Sequence, residues 1–126
     1  MALYGIYGSH TTESCPLNNI QSRKIVLNMV EDFDNIANKN RIKVLEQYHS
    51  ALEHTFLWIV DTENAHLVER FMIESGWAAF NAIKIVPLGR YQNVIEACKK
   101  LGTSWDVTII IKAVKKTYAR NVNNVN

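Results

Sequence analysis

The apolar positions of the chain repeat with two different periods, and the alternation between them predicts the fold. Residues 2–8, Ala-Leu-Tyr-Gly-Ile-Tyr-Gly, are β-prone and predict a first strand, weakened by Gly5 and Gly8. A polar stretch from Ser9 to Asn19, interrupted by Pro16, reads as a loop. From about residue 19 to 38 the period becomes helical: Ile25, Met29, Phe33 and Ile36 recur at steps of four, four and three, with Val26 and Val30 widening the stripe and Asn18 or Asn19 as the cap. The run Asn38-Lys39-Asn40 ends that helix. Residues 41–48 and 54–61 then read as two strands joined by a short turn, His49 to Glu53, in a hairpin.

A second helix is expected from about Glu63, capped by Thr62, with Leu67, Val68, Phe71 and Met72 as its apolar face and Gly76 as its stop. Residues 82–88 predict a fourth strand. Its Pro87 cannot donate to a ladder, so it belongs at a sheet edge. A third helix spans about 91–101, carrying Val94, Ile95, Cys98 and Leu101, and Cys98 reads as a core residue. Residues 103–114 carry a helical face and a cap-like Thr103/Asp106 pair, against a strand-like Val-Thr-Ile-Ile-Ile composition; the balance favours helix. The polar residues from 120 onward read as frayed. The expected architecture is α+β: a βαββαβ domain over residues 1–102 and a C-terminal helical extension, 103–126, with a frayed tail.

Composition narrows the function classes. In 126 residues, 48% hydrophobic and 21% charged content is ordinary for one globular domain. A net charge of +2 is too small for a dedicated nucleic-acid binder. Two cysteines make no disulfide framework and point to a reducing, cytoplasmic setting. The first residues do not read as a signal peptide, and the longest run of hydrophobic residues, Phe56 to Val60, is far too short for a membrane span, as is Ile109 to Ile111.

The candidate chemistry comes from topology. In a split βαβ sheet of order 4-1-3-2 the end of strand one lies beside the start of strand three, and strand two finishes there as well. His10, Cys15, His49 and His54 then converge from positions more than forty residues apart. Imidazole and thiolate suit zinc or copper, and three protein ligands with one open position is the pattern of a catalytic centre. His10, Cys15 and His54 are the candidate ligands, with His49 or Glu53 as a fourth or supporting group. The alternatives are solvated histidines at strand ends, and a Cys15 activated as a nucleophile by a neighbouring histidine and the start of the first helix.

Strand three is apolar on both faces. Phe56 and Trp58, on the side of His54 and Val60, read as an aromatic surface lining a dimer interface or an enclosed ligand cavity, while Leu57 and Ile59 face the helices. RNA stacking on those rings is disfavoured, because the strand lacks the Gly-Phe-Gly/Ala-Phe pattern of RNA-binding plaits. A homodimer that holds a metal or a small-molecule ligand is the expected assembly. A non-enzymatic dimeric interaction module is the alternative.

The order and spacing of the elements over residues 2–88, with His10-x4-Cys15-Pro16 and Leu52-Glu53-His54-Thr55, resemble the dimeric α/β-barrel branch of the ferredoxin-like superfamily, in particular its small prokaryotic members. That branch includes monooxygenases, haem-handling enzymes, isomerases and regulatory ligand-binding domains. The resemblance therefore implies a sheet-to-sheet dimer but does not choose an activity.

Overall fold

The computed structural model describes residues 1–102 and 107–123. Its elements are β1 (Ala2–Ser9), α1 (Ile20–Lys39), β2 (Lys43–Ser50), β3 (Thr55–Thr62), α2 (Ala65–Glu74), a 3-10 turn (Trp77–Ala79), β4 (Ala82–Leu88), α3 (Tyr91–Leu101) and α4 (Val107–Asn123). The chain is α+β, with one antiparallel four-stranded sheet in the order β2-β3-β1-β4. Read from the β4 edge, this is 4-1-3-2. Pro87 sits on that edge strand, where a missing N–H leaves no ladder bond unmade on the outer side.

Local chemistry moves several boundaries from where periodicity put them. The side chain of Asn19 caps α1, accepting from the Ser22 N–H at 3.0 Å. At its other end Asn40 closes the helix and Arg41 takes a left-handed turn (φ 55°), which delays β2 to Lys43. Thr62 does not cap α2. It stays in β3, fully buried, and donates to the Arg41 carbonyl at 2.9 Å, while Asn64 caps the helix through the Leu67 N–H. Gly76 adopts φ 83°, which stops α2 and leads into the 3-10 turn.

Two helices cover one face of the sheet. On that face Tyr4 lies opposite Val60, Ile6 opposite Trp58 and Gly8 opposite Phe56. Met29 of α1, Val68, Phe71 and Met72 of α2, and the half-buried Phe33 and Trp77 complete the core. The Trp77 indole N–H donates to the Met29 sulfur. This reverses the expected faces of strand three: Phe56, Trp58 and Val60 are buried beneath the helices, whereas Leu57 and Ile59 look outward beside Tyr7, Tyr48 and Val86. Both parities were apolar, so volume decided. The large rings go where two helices and Trp77 surround them, in tilted and edge-to-face contacts with centroids 4.9–6.3 Å apart. None of Tyr7, Tyr48, Leu57, Ile59 and Val86 is buried.

The C-terminal helices pack on each other. Residues 107–123 are helical, as the balance of signals favoured, and the expected Thr103/Asp106 cap lies outside the described residues. Asn121 to Asn123 continue α4 instead of fraying, and 124–126 again lie outside the described residues. Cys98 is exposed and α3 has no buried residue, so Cys98 is not a core residue. Amphipathic spacing identifies an apolar face but not what covers it. Val30, likewise, faces solvent on α1.

Gly8 is the glycine on which the core depends. A Cβ there would stand 1.9 Å from Cε1 of the buried Phe56 ring. Gly8→Ala is expected to lower unfolding free energy by ~1–3 kcal/mol, the usual cost of overpacking. Urea denaturation measures it, and an unchanged midpoint would mean that the ring has somewhere to go.

Candidate functional site

The β1–β3 ladder extends one residue past its last Cα pair, Ser9 opposite Thr55. The His10 N–H donates to the His54 carbonyl at 3.0 Å. This bond sets the two histidines side by side on the helix-covered side of the sheet, their ring centroids 5.7 Å apart. His49, opposite Phe56 on β2, stacks on His10 with centroids 5.4 Å apart and planes within 3°. Asn81 immediately precedes Ala82, the partner of Ser9, and so occupies the same row on the other side of His10. The end of the sheet thus gathers polar side chains from four chain segments, with His49 reaching in from the row of Phe56 and Gly8.

Cys15 arrives from the loop, and that loop is tightly held. The Cys15 carbonyl accepts from the Asn18 and Asn19 N–H groups, both at 2.8 Å. The Arg23 guanidinium donates to the carbonyls of Pro16 (3.0 Å) and Leu17 (2.9 Å), and the Asn18 amide donates to the Thr12 carbonyl at 2.9 Å. The Cys15 side chain is fully buried. Cys15 thus lies in the loop expected of it, but sealed from solvent. A thiol without solvent access is also poorly placed to act as a nucleophile, which removes the main attraction of that reading.

His10, Cys15 and His54 each offer one ligand atom, and the three atoms lie within 4.8 Å of one another. In a tetrahedral site with bond lengths of about 2.0–2.3 Å, neighbouring donors are roughly 3.3–3.7 Å apart. Side-chain rotations closing each gap by about an ångström would therefore complete three-point coordination. The group can hold a metal ion. Glu53 and His49 stay outside it, although the His49 Nε2 is 3.5 Å from the His10 Nε2.

Two details favour ligation over a solvated role. First, the Asn81 amide donates through Nδ2 to the Trp77 carbonyl (3.0 Å), which leaves its Oδ1 as acceptor for the His10 Nδ1–H at 2.8 Å. That hydrogen bond sets the tautomer and leaves the lone pair on His10 Nε2, where His49 Nε2 is its 3.5 Å neighbour and an ion would take its place; a carbonyl-type partner behind a ligating imidazole is the usual support. Asn81 was missed in the sequence because nothing marks it before the register of β4 is known. Second, the His54 Nδ1 is buried with no hydrogen-bond partner. A buried polar atom left unpaired is costly, and an ion or a water would satisfy it.

His54 is also conformationally costly. It does not open β3 but ends the Ala51–His54 turn at φ 55°, its N–H donating to the Ser50 carbonyl at 2.9 Å. Left-handed backbone disfavours a residue with a Cβ, and glycine or asparagine is the common occupant. A histidine retained there is strain located at a candidate site.

Beside His10 and His49 opens a pocket of about 340 Å³ lined by Pro16, Leu17, Val26, Phe56, Trp58 and Trp77, with Gln47 and Tyr48 also on its wall. Phe56 and Trp58 therefore do border a cavity, from beneath the helices and not from the open face.

Compared with protein-family models, curated proteins and solved structures, the chain matches none of them.

Burial pushes the His49 pKa below its ordinary 6.5, and the neighbouring imidazoles of His10 and His54 push the same way. The folded state thus resists a proton that the unfolded chain accepts first. His49's contribution to stability is intact above about pH 6.5 and is lost as pH falls through its folded-state pKa. NMR titration of the metal-free protein should show a His49 midpoint below 6.5; a midpoint at or above that value would contradict the crowding of the three rings.

Proposed function

We propose that the chain is a transition-metal-binding protein whose His10, Cys15 and His54 hold zinc or copper with one position left for an exogenous ligand, in the service of small-molecule chemistry or metal handling. The observation that carries the reading is the convergence of these three donors within 4.8 Å, one of them an imidazole braced by Asn81 and another left buried without a partner. Two imidazoles and a thiolate match the borderline-soft preferences of both ions, and His49 stands close enough to support the centre from outside it. Two free cysteines suit reducing surroundings, and a cytoplasmic setting belongs to this proposal. Among the described residues no helix is long and apolar enough to cross a membrane.

The scaffold in this reading is a ferredoxin-like plait. The order β2-β3-β1-β4, antiparallel neighbours throughout, and α1 and α2 against a single face support it. Pairing of two copies through the opposite face belongs to the same proposal, supported by the unburied Tyr7, Leu57, Ile59 and Val86. Because Phe56 and Trp58 are core residues, the residue to change is Leu57. Wild-type protein at tens of micromolar should scatter light as a dimer and Leu57→Asp as a monomer; a monomeric wild type would remove the sheet-to-sheet contact.

For the metal, His54→Gly separates ligation from folding, because glycine relieves the left-handed φ that histidine strains. Equilibrium dialysis should find one zinc per wild-type chain, weakening as pH falls, since the ligands must shed protons. His54→Gly should weaken uptake by more than the roughly 10–100-fold that loss of a supporting hydrogen bond costs, with a thermal midpoint of the metal-free protein no lower than wild type. Undiminished uptake by the variant would sink the assignment.

A further inference from the structure

We infer that the fourth position of this centre is filled by a small aromatic carboxylate, its acid group on the ion and its ring in the pocket beside His10; the inference rests on the metal reading above. Charge argues for the acid. A divalent ion held by two neutral imidazoles and one thiolate keeps one positive charge. The residues lining the pocket include no Asp, Glu, Lys or Arg, so nothing on its walls balances that charge. In apolar surroundings an uncompensated charge is expensive, and an anionic donor removes the cost.

Shape and lining argue for the ring. Phe56, Trp58 and Trp77 present aromatic surface to the cavity, and Pro16, Leu17 and Val26 make up its aliphatic side. Trp77 meets Phe56 and Trp58 nearly edge-on, with interplanar angles of 68° and 69°, the arrangement in which aromatic groups pack favourably. At about 340 Å³ the space is at the small end of ligand sites, which run from about 300 to 1,000 Å³. It suits a single ring better than a fused or chain-like molecule. Gln47 offers an amide for one polar ring substituent, whereas the Tyr48 hydroxyl is already donating to Glu46 at 2.9 Å. His10 belongs to both the donor group and the pocket wall, so the pocket adjoins the centre at that residue.

Cobalt(II)-loaded protein tests this with benzoate as the probe and acetate as the control. The cobalt absorption bands first establish whether the metal reading holds, independently of any ligand; if no tetrahedral cobalt spectrum forms, both readings fall. With cobalt bound, benzoate should shift the bands, quench tryptophan fluorescence and bind at least about tenfold tighter than acetate, the advantage that burying a ring supplies. Val26→Trp, which fills the pocket from α1 without touching a donor, should keep the cobalt spectrum and lose the preference for benzoate. Should that variant fold poorly, Leu17→Trp at the exposed mouth is expected to act the same way. Equal affinity for benzoate and acetate, or benzoate binding that is unchanged in metal-free protein, would overturn the inference while leaving the metal centre standing.

Discussion

The register of β1 against β3 is the constraint on which the rest depends. Eight Cα pairs align Ala2–Ser9 with Thr62–Thr55, and the next bond out, from the His10 N–H to the His54 carbonyl, extends the alignment past the last pair. Side chains alternate across a strand, so slipping this pairing by one residue would send His10 and His54 to opposite faces. The same register puts Gly8 under Phe56, opening the space in which that ring and the two tryptophans pack. Core and site are therefore two readings of one ladder. The pocket lies where they meet, with His10 on one side and Phe56, Trp58 and Trp77 on the other.

How far the sequence could be read follows from which features are local. The helical stripe Ile25–Met29–Phe33–Ile36 and the strong β-character of residues 54–61 are local, and both elements formed within two residues of their expected limits. Strand order is less local, yet the βαββα alternation was enough to bring His10, Cys15, His49 and His54 to one end. What could not be read was which face of β3 the helices take. His-Phe-Trp-Val and Leu-Ile are both apolar sets, and the choice rests on ring packing with Trp77 and Phe71 across the chain. One signal was available in hindsight. Gly8 falls in register opposite Phe56, and a glycine facing a large ring marks the crowded side.

Other misreadings share a cause. Thr62 and Asn64 are both competent caps, and the buried bond from Thr62 to the Arg41 carbonyl decides between them. Cys98 lies on a well-formed amphipathic face that the described chain leaves exposed. His54 reads as the first residue of a strand because nothing in its neighbourhood announces a positive φ. Asn81 is an unremarkable polar residue before an edge strand until β4 pairs with β1 and brings it against His10. For Thr62, Asn64 and Asn81 a tertiary contact settles what spacing leaves open. The site is costly in two places, a histidine in left-handed backbone and a buried imidazole nitrogen without a partner, and the proposed ion would offset both.

The central claim is that two imidazoles and one thiolate of a single chain share one ion. X-ray absorption at the zinc edge of protein loaded with one equivalent reads that coordination directly. The account predicts a first shell with one sulfur at about 2.3 Å, two or three nitrogen or oxygen neighbours at about 2.0–2.1 Å, and the multiple-scattering pattern of two or more imidazoles. A shell without sulfur, or one with no imidazole scattering, would contradict it.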